Sequence, residues 1–107
     1  MIVVNTPTIP GKHIAKVLGL VRGNTVRARH CGIDFIAFLK NMIGGEISEY
    51  TKLFAETREQ SLDRMLEEAS KLGANAVVNL RYTTCYIAQG AAELLAYGTA
   101  VMIEDEH

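Results

Sequence analysis

Residues 46–72 read EISEYTKLFAETREQSLDRMLEEASKL, and residues 73–87 continue GANAVVNLRYTTCYI. In the first stretch Ile47, Tyr50, Phe54, Leu62, Met65, Ala69 and Leu72 recur on one stripe at about 100° per residue, the period of an amphipathic helix. Glu49, Lys52, Glu56, Glu59, Asp63 and Glu67 fall opposite, on a solvated face. Gly73 suits the left-handed position that ends a helix. Arg58 is the misfit, because the same wheel places it inside the apolar stripe, where a guanidinium needs a partner.

Past Gly73 the pattern becomes that of strands. Ala76 to Ile87 is read as one, with Val78, Leu80, Tyr82 and Tyr86 on one face and Asn79, Arg81, Thr83 and Cys85 on the other. A turn at Gln89-Gly90 leads into a second, Glu93 to Ile103. Toward the N-terminus, Ile2 to Val4 is a short strand stopped by Pro7 and Pro10, which lack a ladder donor. Ile14 to Val21 is apolar on both alternating faces, Leu18 and Leu20 on one and Val17 and Val21 on the other, so both faces are expected to be covered. Gly23-Asn24 is a turn signal, after which Thr25 to Arg29 alternates again with Arg27 and Arg29 on one side. The two stretches form either a hairpin or one long strand with a bulge.

Asp34 is placed to cap a short helix from Phe35 to Ile43, ended by Gly44-Gly45. The order is therefore strands, a short and a long helix, then strands. That segregation predicts an α+β domain with an antiparallel or mixed sheet, one domain over residues 1–107.

A chain of 107 residues buries about two thirds of the surface that its unfolded form exposes, yet 49% of these residues are hydrophobic. The surplus predicts an apolar patch and, with it, a homo-oligomer. The short helix carries Phe35, Phe38, Leu39 and Met42 and has little polar face, so it is the expected subunit contact, with Arg58 in an ion pair across the boundary. No apolar run approaches the roughly 20 residues that span a bilayer, and Met1 to Asn5 lacks a basic leader; the expectation is a cytoplasmic protein that does not engage a membrane. Cys31 and Cys85 lie far apart without a CxxC arrangement, which suits reduced thiols. A formal net charge of −1 gives no overall attraction for nucleic acid.

Two side-chain sets could carry chemistry. Arg27, Arg29 and Arg81, with Asn79 and Thr83, could line a channel or bind a small anion, since guanidinium forks match carboxylate and phosphate. His30 and Cys31 with Cys85 offer imidazole and thiolate ligands for a soft metal ion, although their spacing is not that of a zinc knuckle. No Ser-His-Asp context and no glycine-rich phosphate loop is present, so a catalytic role is not expected.

Taken together, Leu18-Gly19-Leu20-Val21, Thr25-Val26-Arg27-Ala28-Arg29-His30, Asp34-Phe35, Leu39-Lys40-Asn41, Gly44-Gly45-Glu46, Tyr50-Thr51, Arg64-Met65, Gly73 to Val78, Gly90 to Glu93 and Ala96 to Val101 resemble the YbjQ family of small bacterial and archaeal proteins. The resemblance spans nearly all of the chain beyond its first dozen residues. It implies an α+β subunit that assembles into a ring, a homopentamer, and a family labelled for heavy-metal binding whose biochemical role is open. Cys31 and Cys85 depart from the family's usual aliphatic residue and serine, so a family-wide metal site would not rest on them.

The reading that joins these lines is a non-catalytic, ring-forming cytoplasmic protein whose polar groups bind a small ligand or a metal ion. The alternative is a structural or adaptor ring that presents its acidic helical face to a protein partner. A third is a small-molecule enzyme with its site between subunits.

Overall fold

The computed structural model describes residues 1–28, 47–88 and 91–106. Four strands and one helix are found among these: β1 (Ile2–Val3), β2 (Lys12–Ala28), α1 (Ile47–Lys71), β3 (Ala76–Ala88) and β4 (Ala91–Asp105). The strands form one mixed sheet in the order β1-β3-β4-β2, with β1 parallel to β3 and the other pairings antiparallel. The α+β class and the mixed sheet match the sequence reading. The short helix expected from Phe35 to Ile43, with the contact residues Phe35, Phe38, Leu39 and Met42, lies outside the described residues.

α1 ends as its chemistry directs. Gly73 takes φ +83°, its N–H donates to the Ser70 carbonyl at 3.0 Å, and the Ala74 N–H donates to that of Ala69 at 3.1 Å, the two bonds of a Schellman cap. The line of α1 that meets the sheet is Thr57, Ser61, Met65 and Ala69, all buried and four residues apart. Half of that line is polar, and for that reason sequence reading passed over Thr57 and Ser61. Leu72, expected on the stripe, is 45% exposed, and Arg58 is exposed on the flank of the buried line. One residue's rotation past Thr57 carries Arg58 out of the stripe, and the ion pair expected of it lies across a boundary between chains.

The helix lies close to the sheet because β2 has a glycine beneath it. A Cβ placed on Gly23 would stand 2.2 Å from the Ser61 carbonyl oxygen and 2.4 Å from the Met65 nitrogen. Gly23-Asn24 is therefore no turn: β2 runs straight through it, and Gly23 is a seat for the backbone of α1. Next to it, Ser61 Oγ lies 2.9 Å from Thr25 Oγ1 and 3.0 Å from the Leu94 carbonyl oxygen. A carbonyl can only accept, so the single Ser61 hydrogen goes to Leu94 and Thr25 donates to Ser61, which leaves both buried hydroxyls satisfied. Val21, Met65, Ala69, Val77, Ala96 and Ala100 complete this helix-side core.

On the opposite face Ala76, Val78, Val101 and Ile103 form a second core, covered by Val4 and Ile9 of the segment between β1 and β2. That cover stops short of β2, where Ile14, Val17, Leu20 and Val26 are 37%, 63%, 64% and 48% exposed. Among the described residues, then, one face of β2 is left partly open where both were expected to be covered. Bulges between Ile14 and Lys16 and between Val17 and Gly19 also regroup its faces, so that Leu18 packs with Val21 against the helix-side core.

At the end of the sheet, Lys12 and Asp105 face each other in register and form an ion pair, and His13 meets Glu104 at 3.4 Å. The hydrogen bond from Lys12, joined by its charge, holds the Asp105 carboxyl below its ordinary value. A carboxyl depressed in the folded state contributes stability above its unfolded pKa and loses it as pH falls through the folded one. Both groups are exposed and the contribution is small, so the informative measurement is an NMR titration. Asp105 is expected to titrate below the free-carboxyl value of 3.8, and to return toward it in Lys12→Met.

Candidate functional site

β3 carries the one non-glycine residue at positive φ among the described residues, Asn79. Val78 pairs with Thr99 and Arg81 with Tyr97, so two residues of β3, Asn79 and Leu80, stand opposite Gly98 alone. Asn79 relieves the bulge with φ +56°, a conformation that asparagine tolerates better than most residues. The bulge changes the expected faces: Val78 now groups with Arg81, Thr83 and Cys85, while Leu80 turns to the helix-side core.

The segment after β1 follows this kink. Asn79 donates its N–H to the Thr6 carbonyl at 3.0 Å, and Leu80 donates to that of Val4 at 3.0 Å. The carbonyl between them, that of Asn5, accepts from Arg81 Nη1 at 2.7 Å, and the same nitrogen reaches the Leu80 carbonyl at 2.9 Å. Nη1 has two hydrogens and both are thus engaged. The Nε–Nη2 edge, with its three remaining donors, has no bonded acceptor among the described residues. This is the edge that grips a carboxylate or phosphate through two parallel bonds.

A recess of about 810 Å³ opens here, lined by Val3, Val4, Asn5, Thr6, Leu80, Arg81 and Tyr82. Partial burial and the Glu59 carboxylate push the Tyr82 phenol above its ordinary value, with Arg58 pulling the other way. At neutral pH the phenol therefore keeps its proton and can donate. A pinned guanidinium beside an apolar wall suits a small organic anion, while the Tyr82 phenol lies on the helix-side face with Ala96.

Of the five predicted ligand-binding residues, the structure places Asn79 and Arg81 together at the bulge. Thr83 is two residues further along β3, on the face of Arg81. Arg27 lies on β2 in register with Ala92, several residues along the sheet from the bulge, and Arg29 lies outside the described residues. Sequence reading missed Asn5 and Thr6, which act through backbone carbonyls and have no side-chain signature.

Of the predicted metal ligands, Cys85 alone lies among the described residues. His30 and Cys31 fall outside them, and Cys85 is exposed on β3 in register with Glu93. No group of three or more His, Cys, Asp or Glu side chains able to hold a metal ion occurs among the described residues, so these do not fit a soft metal. None of their helices is long and apolar enough to cross a membrane.

Fold and recess define a two-layer α+β domain whose described residues lay a helix across a mixed four-stranded sheet, with Arg81 at the sheet's margin. The profile of the YbjQ family, described as "Putative heavy-metal-binding", matches residues 1–104. A UPF0145 protein of Archaeoglobus fulgidus is 55% identical over 103 residues, 96% of this chain and 95% of that protein. One from Pyrococcus furiosus is 56% identical over 106 residues, covering 99% and 93%. The chain belongs to the YbjQ (UPF0145) family. A crystal structure of a DUF74-family protein of unknown function from Pediococcus pentosaceus shares the fold, with a TM-score of 0.64 at 15% identity over 97% of this chain and 98% of that one.

Proposed function

We propose that this protein is a non-catalytic, ring-forming homo-oligomer of the cytoplasm, a pentamer, in which each subunit holds a small carboxylate or phosphate ligand at Arg81. The observation that carries the ligand is the guanidinium itself: two backbone carbonyls fix Nη1 at the recess that Arg81 lines, and the Nε and Nη2 donors have no bonded acceptor among the described residues. A side chain already held in its binding geometry loses little freedom when the ligand arrives.

Assembly is supported by what the subunit leaves uncovered. β2 is an edge strand of 17 residues, and β3 past the short β1 has no strand on its outer side among the described residues. Long open edges that carry apolar side chains are templates for another chain. The radius of gyration, 16.8 Å, exceeds the roughly 13 Å of a closed domain this long, which fits a subunit that completes its packing with neighbours.

Native mass spectrometry of untagged protein is expected to give the mass of five chains. In Leu20→Asp that mass should fall to one chain while the far-ultraviolet circular dichroism is kept, since the side chain is 64% exposed within the subunit. Inorganic phosphate should raise the thermal midpoint of the wild type, and Arg81→Lys should lose most of that rise, because an ammonium cannot make the two parallel bonds. A wild-type monomer would end the ring reading, and a full phosphate response in Arg81→Lys would end the ligand reading.

The outer face of α1 favours a second reading. Glu56, Glu59 and Asp63 are exposed together, and the adaptor ring would present them to a basic protein partner.

A further inference from the structure

The β2 margin holds a second cavity, separate from the Arg81 recess. It is an open recess of about 360 Å³ lined by Arg22, Asn24, Glu68, Glu93 and Leu95. That is near the lower end of the range ligand pockets occupy, about 300–1,000 Å³. Two features of the fold bring these residues together. Register sets Arg22 and Asn24 of β2 beside Tyr97 and Leu95 of β4, with Glu93 two residues along. The Gly23 seat lets α1 approach β2 closely enough for Glu68 to reach the same cavity.

Its charges are of both signs and do not neutralise one another. None of the ion pairs among the described residues joins Arg22 to Glu68 or to Glu93. Asn24 is braced on both sides: its Nδ2 donates to Glu93 at 3.2 Å and its carbonyl accepts from Arg64 Nη1. The Asn24 side-chain oxygen remains as an acceptor, and Leu95 supplies an apolar surface.

We infer that this cavity binds a small α-amino acid as its zwitterion, with the carboxylate on Arg22, the ammonium between Glu68 and the Asn24 amide oxygen, and an aliphatic side chain on Leu95. A guanidinium and carboxylates held apart across one cavity match a ligand that bears both charges, whereas a simple anion or cation would satisfy one side and be repelled by the other.

The test uses the assembled Arg81→Lys protein, whose Arg81 recess no longer grips a carboxylate, with L-alanine and L-leucine as probes and acetate and methylamine as single-charge controls, read by saturation-transfer NMR and by thermal midpoint. Both amino acids are expected to bind with a Kd no weaker than about 1 mM, and neither control to bind at ten times that concentration. Arg22→Met and Glu68→Gln should each weaken leucine by about tenfold or more with the native mass unchanged. Acetate binding as well as alanine, no amino acid binding, or full leucine affinity in both variants would overturn the assignment. Arg81→Lys should leave leucine affinity intact, which separates this cavity from the Arg81 recess.

Discussion

Replacing Gly23 with valine is expected to destabilise the protein by about 3 kcal/mol or more, as judged by urea unfolding at fixed protein concentration. Local preference argues the other way: valine favours strands and glycine weakens them, by an amount on the order of 1 kcal/mol. The packing term wins because the atoms in the way are backbone. A Cβ at this position would stand 2.2 Å from the Ser61 carbonyl oxygen and 2.4 Å from the Met65 nitrogen, and neither can swing aside as a side chain could. α1 would have to lift, and the Ser61 hydrogen bonds to Thr25 and Leu94 and the contacts of Met65 would loosen with it. For a domain of roughly this size each kcal/mol lowers the thermal midpoint by about 4 °C or more, so the loss is easily measured. A valine variant as stable as the wild type would mean that the helix does not sit on Gly23.

Met65→Ala is expected to cost about 2–5 kcal/mol, the range found when a long buried side chain is cut back and its cavity remains. Met65 is fully buried and packs in the one cluster that joins α1 to β2, β3 and β4 through Val21, Val77, Ala96 and Ala100. Three of the six residues in that cluster are alanines, Ala69 among them, so its neighbours have little side chain with which to refill the space. Met65→Leu keeps the volume and should cost less than about 1.5 kcal/mol. If the two variants were equally stable, Met65 would not be the link between the layers.

Both predictions bear on the same lesson. α1 was legible because a helix is a local object. Its period, its glycine stop and its acidic outer face follow from neighbours three and four residues apart, and the structure returns them at Ile47–Lys71, Gly73 and Glu56, Glu59, Asp63 and Glu67. The strands were legible as strands for a similar reason. The arrangement of their faces was not. A bulge adds one residue on one strand only, and because side chains alternate with a period of two, everything beyond it changes sides. Val78 was grouped with Leu80 and Tyr82 for want of the bulge at Asn79 and Leu80, and Leu18 with Leu20 for want of the one at Val17 and Gly19.

The candidate site divides along the same line. Arg81 and Asn79 could be picked out as polar residues in an apolar strand. Their binding geometry depends on the backbone of Asn5 and Thr6, more than seventy residues away, and on a kink that brings those carbonyls to β3. The β2 cavity likewise needs Glu68 from the helix, Arg22 from one strand and Glu93 from another, set together by pairings whose register no short stretch encodes. Local chemistry in the chain was enough to settle the class of the fold, the long helix and its glycine stop, and the strand-forming segments, since each depends on composition or on residues within a turn or two. Which faces meet, why Gly23 continues a strand where a turn was expected, how the sheet is ordered and which charges share a cavity were decided by contacts between distant segments, whose energies depend on pairings formed only in the folded chain.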